Sequence, residues 1–180
     1  IVALGTWQTF DMGRNSRARA PLADVLRTLF EHGGTAIDSS PVYGRPEGVV
    51  GDLLAGMDGH RRAFIATKIW TEGGERGVRQ MNDSMRLLRT GRLDLMQIHN
   101  LVDWRTHMAS LREWQQDGRV RYVGITHYTT SAFDSLEQVI AVTRPDFVQF
   151  PYSIGVRAAE MRLLPLCAEA RRRGAGQPAL

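Results

Sequence analysis

Phe64-Ile65-Ala66-Thr67-Lys68 and Leu95-Met96-Gln97-Ile98-His99 are short apolar runs, each ending on a residue able to do chemistry. Between them Val78, Met81, Met85 and Leu88 recur at helical spacing. Strand, helix and strand in that order predict a parallel pair joined by a crossover. Upstream, Thr35-Ala36-Ile37-Asp38 repeats the pattern and closes on an acid, with Tyr43 in the loop just beyond it. Parallel strands present their C-terminal ends on one face, and in barrels of strand-helix units that face carries the chemistry. Asp38, Tyr43, Lys68 and His99 are therefore expected to converge.

The alternation extends in both directions. Val2 to Leu4 predict a first strand, closed by Gly5-Thr6-Trp7. Leu22, Val25, Leu26, Leu29 and Phe30 follow the spacing of an amphipathic helix, stopped by Gly33-Gly34. A shorter helix is expected from Glu47 to about Leu54. Trp104, Met108 and Leu111 mark a helix ending near Asp117-Gly118, and Phe133, Leu136 and Ile140 mark the next. Val120 to Ile125 and Phe147 to Phe150 predict the last two strands, and a helix is expected from about Ala158 to Arg173.

Six such units fit either an open doubly wound sheet or part of a (β/α)8 barrel. The turn after the first strand reads Gly5-Thr6-Trp7-Gln8, without the glycine fingerprint of a dinucleotide-binding open sheet. Polar groups on successive strand ends favour the TIM barrel. A full barrel needs about 250 residues, so residues 1–180 are expected to form a single barrel domain short of roughly two C-terminal units.

Composition narrows the function. Of the residues, 43% are hydrophobic, enough for a sizeable core, and no apolar run is long enough to span a membrane. The single cysteine, Cys167, excludes an internal disulfide and a cysteine metal cluster, and fits the reducing cytoplasm. Ile1 stands first, so any targeting segment lies beyond the residues read. No histidine and carboxylate set has zinc spacing, and no metal is expected. The net charge of +4 comes largely from scattered arginines. Arg171-Arg172-Arg173 sit where a helix should end, facing its negative dipole end. Without aromatic interleaving they do not make a nucleic-acid surface.

The four strand-end residues have ordinary explanations one by one: a turn aspartate, a solvated lysine, a core histidine, a packing tyrosine. Their joint placement has none, because no structural requirement puts all four there. Together they suit carbonyl reduction. A tyrosine, with an ordinary pKa of about 10, would donate a proton to the nascent alkoxide. A lysine beside it would favour the phenolate and lower that pKa. An aspartate would hold the lysine, and a histidine would polarise the substrate oxygen.

On these residues the chain resembles the aldo-keto reductases. Asp38, Tyr43-Gly44, Glu47 and Gly51 match that family's D-x-x-x-x-Y-G-x-x-E-x-x-x-G pattern. Thr67-Lys68 matches its lysine strand, and Ser84 to Leu88, Leu93-Asp94-Leu95 and His99 its histidine segment. Gly118 to Ile125 match its G-K-[IV]-R-x-[IV]-G-[VI] stretch. The resemblance implies reduction of small aldehydes or ketones with NADPH, or NADH in its place. It implies Tyr43 as general acid, Lys68 and Asp38 as its tuning pair, and His99 as the substrate-orienting group. It implies cofactor contacts at Gly5, Thr6, Trp7, Asp38, Thr126, His127 and Gln149. His127 stands where the family has asparagine, and an imidazole donates without amide geometry. Trp70 is expected to line the substrate cleft. The alternative is a reductase-like subunit that binds cofactor and turns over little.

Overall fold

Strands and helices alternate throughout the computed structural model, which describes residues 2–13 and 15–175. β1 (Ala3–Gly5) leads into α1 (Ser16–Glu31), β2 (Ala36–Asp38) into α2 (Pro46–Gly56), and β3 (Phe64–Ile69) into α3 (Gly74–Leu88). β4 (Leu93–His99) leads into α4 (Trp104–Gln116), β5 (Val120–Thr126) into α5 (Phe133–Thr143), and β6 (Phe147–Gln149) into α6 (Leu163–Ala175). The strands form one sheet in chain order, every neighbouring pair parallel.

Side chains on the inner face show that the sheet is curled. Phe64 of β3 and Phe147 of β6 have ring centroids 6.1 Å apart. In a flat sheet three steps of about 4.8 Å would hold them about 14 Å apart. Tyr122 of β5 touches both rings, at 6.2 Å and 5.4 Å. The architecture is the curled six-unit part of a (β/α)8 barrel, as the polar strand ends suggested.

Strand alternation divides the residues between two environments. Ile37, Ile65, Ile69, Met96, Ile98 and Ile125 are buried in the main hydrophobic core, with residues of the helices. Phe64, Ala66, Leu95, Gln97, Phe147 and Gln149 instead line a concave cavity of about 570 Å³. α2 and α3 approach closely at Gly51, where a Cβ would lie 2.1 Å from the Leu87 carbonyl oxygen. That distance explains the glycine at this position of the Tyr43-Gly44 motif.

The last helix differs from the sequence reading. Residues Ala158–Glu160 form a single 3-10 turn, and α6 begins at Leu163. Pro165 is the reason. Its ring opposes a helical carbonyl four residues back, at Met161, and its missing N–H is harmless only within a first turn. The side chains of Arg171, Arg172 and Arg173, read above against the helix dipole, lie outside the described residues.

Candidate active site

Asp38 ends β2, His99 ends β4, and Lys68 lies one residue before the end of β3. Parallel register aligns them on one rim: Gly5 pairs with Asp38, Lys68 with Gln97, His99 with Thr126, and Thr126 with Gln149. Lys68 is 2% exposed. Its Nζ donates to Asp38 Oδ1 at 2.8 Å, to Asp38 Oδ2 at 2.7 Å and to the Ser39 carbonyl at 2.7 Å. An ammonium has three donors, and all three are engaged. Burial holds its pKa below the ordinary lysine value, against the opposing pull of Asp38 and Glu47.

Tyr43 is placed by a 3-10 turn over Pro41–Tyr43 that stops at Gly44. Gly44 has φ +97°, and a Cβ there would lie 2.9 Å from Asp11 Oδ1. The same Asp11 oxygen accepts the Arg45 backbone N–H at 3.1 Å. Only glycine allows the loop after β1 to grip the turn this closely. The Tyr43 ring centroid lies 5.2 Å from Lys68 Nζ, and the ring meets the His99 ring edge-on at 6.2 Å.

The Tyr43 phenol is pushed up to about 12, by burial first and then by the Asp38 charge. The lysine's donors all point at Asp38 and Ser39.

His99 is pushed down to about 4, by burial first and then by the Lys68 charge. It is a neutral imidazole at pH 7. Its Nδ1 lies 3.4 Å from Ser40 Oγ. A Ser40 hydroxyl that donates to Nδ1 would leave the ring proton on Nε2. Two half-open indoles flank the pair. Trp7, 61% exposed, lies 6.5 Å from the Tyr43 ring, and Trp70, 44% exposed, lies 6.2 Å from the His99 ring.

The structure adds Gln97, which the sequence reading missed, and gives the motif residue Glu47 its place. Gln97 is buried on the inner face, and its amide nitrogen lies 3.4 Å from Asp38 Oδ1 and 3.3 Å from Gln149 Oε1. It links the lysine–aspartate pair to β6. Its signal was available: it stands two residues before His99, on the same strand face, in an otherwise apolar run. Glu47 is buried behind β3 and accepts from Thr67 Oγ1 at 2.5 Å. Burial raises its pKa, against the pull of Thr67, Ser84 and Lys68.

The residues assigned to a cofactor fall into two groups. Gly5, Thr6 and Trp7 follow β1 beside Asp38. Thr6 is buried, its hydroxyl 3.1 Å from the Asp38 carbonyl and 3.0 Å from Ser39 Oγ, so it secures the β2 end. Thr126, His127 and Gln149 form the other group, joined where the His127 N–H donates to the Gln149 carbonyl at 3.1 Å. His127 Nδ1 accepts the Thr129 backbone N–H at 3.2 Å, which leaves Nε2 as its one free ring nitrogen. Among the described residues nothing accepts from the Gln149 amide nitrogen, and Thr126 adds a hydroxyl beside it. Free donors at the C-terminal rim suit a flat ligand bearing a carboxamide, and these residues fit a nicotinamide.

The family model described as aldo/keto reductase family matches residues 2–175. The chain belongs to the aldo/keto reductase family. Among curated members it is 29% identical over 174 residues to the methylglyoxal reductase YeaE of Escherichia coli. That match covers 93% of this chain and 60% of the relative. It is 25% identical over 179 residues to the aldo-keto reductase YhdN of Bacillus subtilis, covering 91% of this chain and 53% of the relative. A crystal structure of an aldo-keto reductase from Klebsiella pneumoniae in complex with NADPH superposes with a TM-score of 0.77 at 25% identity. It covers 93% of this chain and 60% of that one. The chain thus spans 53% to 60% of the length of these family members. Among the described residues no helix is long and apolar enough to cross a membrane.

Proposed function

We propose that this single barrel domain belongs to an NADPH-dependent carbonyl reductase acting on small aldehydes or ketones, with Tyr43 as the proton donor. The observation that supports the reading most is the contact set at the rim. One buried lysine, held by an aspartate, lies under the ring of a tyrosine that meets a neutral histidine edge-on. NADPH, the cofactor in the Klebsiella complex, supplies the hydride when bound, and NADH is the second choice.

The chain's own residues do the rest. Thr126, His127 and Gln149 hold the carboxamide end of the cofactor, and Gly5, Thr6, Trp7 and Asp38 border it. His99 Nε2–H donates to the carbonyl oxygen and polarises it without carrying charge. Tyr43 keeps its proton throughout the working pH range. It releases that proton only when the substrate oxygen gains alkoxide character, because an alkoxide is more basic than a phenolate. Lys68 and Asp38 keep a compensated charge pair beneath the phenol, so no free cation competes for the substrate oxygen. One cysteine in 180 residues accords with work in the reducing cytoplasm.

Purified protein mixed with NADPH and 4-nitrobenzaldehyde should lose absorbance at 340 nm. Methylglyoxal, named for the Escherichia coli relative, is the second carbonyl to try. Loss with neither, for NADPH and NADH alike, would sink the reading. A second reading, cofactor binding with little turnover, draws support from the tyrosine pushed up to about 12. Cofactor fluorescence that titrates without any absorbance loss would select it.

A further inference from the structure

The loop between β3 and α3 begins two residues after Lys68 and carries Trp70 to the edge of the site. Each of its four residues is bonded by a different side chain from α3 or from α4 and its N-cap. The Trp70 N–H donates to Gln80 Oε1 at 2.7 Å, and Gln80 Nε2 donates back to the Trp70 carbonyl at 3.3 Å. The Thr71 carbonyl lies 2.5 Å from His107 Nε2. Arg76 Nε donates to the Glu72 carbonyl at 2.6 Å, and the Gly73 N–H donates to Asp103 Oδ2 at 2.8 Å.

His107 is wholly buried, and its other ring nitrogen has no partner among the described residues. A carbonyl only accepts, so Nε2 donates to it; the other ring nitrogen is Nδ1. It faces Gly77, where a Cβ would come within 2.7 Å of Nδ1. A buried nitrogen left unbonded is unfavourable, and here it accompanies an anchor on the loop. The segment is therefore built to stand still. Yet its one large side chain, the Trp70 indole, is 44% exposed, with the His99 ring 6.2 Å away. Rigid backbone beneath an uncovered aromatic ring is the arrangement of a binding wall, since pre-ordering the ring reduces what a ligand must order.

We infer that Gln80 is a positioning residue: it holds both backbone polar groups of Trp70 so that the indole forms a fixed wall for the carbonyl substrate beside His99. The substrate clause rests on the carbonyl-reductase reading, and the clamp itself does not. Gln80 touches neither the proposed reacting atoms nor the four rim residues. Its effect should pass entirely through Trp70, chiefly into affinity for a flat substrate and little into turnover.

The test uses the full chain and three variants, Gln80→Ala, Gln80→Glu and Trp70→Ala. Backbone hydrogen exchange at Trp70 should quicken about tenfold in Gln80→Ala, the loss of one well-formed hydrogen bond. Gln80→Glu keeps the accepting oxygen and should retain the protection. With 4-nitrobenzaldehyde, KM should rise about five- to tenfold in Gln80→Ala while kcat stays within twofold. Gln80→Glu keeps the acceptor for the Trp70 N–H but loses the donor to the Trp70 carbonyl, so its KM should lie between those of wild type and Gln80→Ala, with kcat within twofold. Gln80→Ala should add nothing on top of Trp70→Ala, because the two act through one ring. Wild-type exchange at Trp70 in Gln80→Ala overturns the inference whatever the turnover. Equal loss of protection in Ala and Glu variants, with α3 amides exchanging faster throughout, overturns it too, since that is a plain helix defect. Quickened exchange confined to the loop in Gln80→Ala, with no reduction by any variant or wild type, upholds the clamp and strikes the reductase reading instead.

Discussion

Replacing Asp38 with asparagine removes a charge and leaves the side chain's volume unchanged. In the structure this strands a lysine ammonium that is 2% exposed and bonded to both carboxylate oxygens. At 2.7 Å and an effective dielectric of about 20, the direct attraction is about 6 kcal/mol. Desolvation offsets much of that in the intact pair, so the measurable quantity is the penalty of breaking it, about 3–5 kcal/mol. Asp38 keeps some contact with solvent, which places Asp38→Asn near the lower end, about 3 kcal/mol. With a urea m-value of about 2 kcal/mol/M, the midpoint should fall by about 1.5 M. The deficit should also depend on pH. Lys68 already has a folded pKa below its unfolded value of 10.5, so the unfolded chain binds that proton more tightly. Stability then rises with pH from the folded pKa up to the unfolded one. Asparagine removes the charge that holds the folded pKa up, so this window extends to lower pH in the variant. As pH rises toward the unfolded value of 10.5, the variant should recover part of its deficit relative to wild type. Urea titrations of both proteins at several pH values check this. A midpoint shift under about 0.3 M, or a deficit that stays constant across the range, would refute the account of Lys68 as a buried, charge-compensated ammonium.

Tyr43→Phe should lower turnover by about 10²- to 10⁴-fold, the range for loss of a general acid, with cofactor affinity within twofold by fluorescence titration; wild-type turnover would make Tyr43 a packing residue. The His99 ring should titrate near 4 by NMR. Because that lies below its unfolded value of 6.5, the unfolded chain binds more protons between the two. Stability should therefore fall as pH drops through that interval, and His99→Gln should flatten that slope. Gly51→Ala should destabilise by about 2–3 kcal/mol in thermal or urea unfolding, because the new methyl meets the Leu87 carbonyl at 2.1 Å; an unchanged midpoint would show that α2 and α3 can separate freely.

Helix ends and strand register show where the sequence was readable and where it was not. The β3 run was legible through Lys68 because β-branched and apolar residues crowd there, and the strand runs only one residue further. The start of α6 was not legible, because Ala158 to Glu160 have helical composition, and only the backbone geometry imposed by Pro165 separates the turn from the helix. The four rim residues were legible for a topological reason: parallel strands bring their C-terminal ends together whatever the register of individual pairs. Ser40, Asp11 and Gln80 carried no comparable mark. Each acts across 10 to 59 residues of sequence separation, and no local period encodes a contact of that kind.

The sequence by itself therefore determined the alternation of strands and helices, the common face on which Asp38, Tyr43, Lys68 and His99 stand, and the family. The first two follow from side-chain periodicity and the order of strands and helices; the family follows from the resemblance of the motifs around those residues. Tertiary structure alone decided how those groups are charged. Whether Lys68 tunes Tyr43 depends on where three N–H bonds point. They point to Asp38 and to the Ser39 carbonyl, so the phenol, half-buried and near a carboxylate, is pushed up to about 12. Protonation state is set by the sum of burial and of charges arriving from separate strands, and that sum exists only once the sheet has curled.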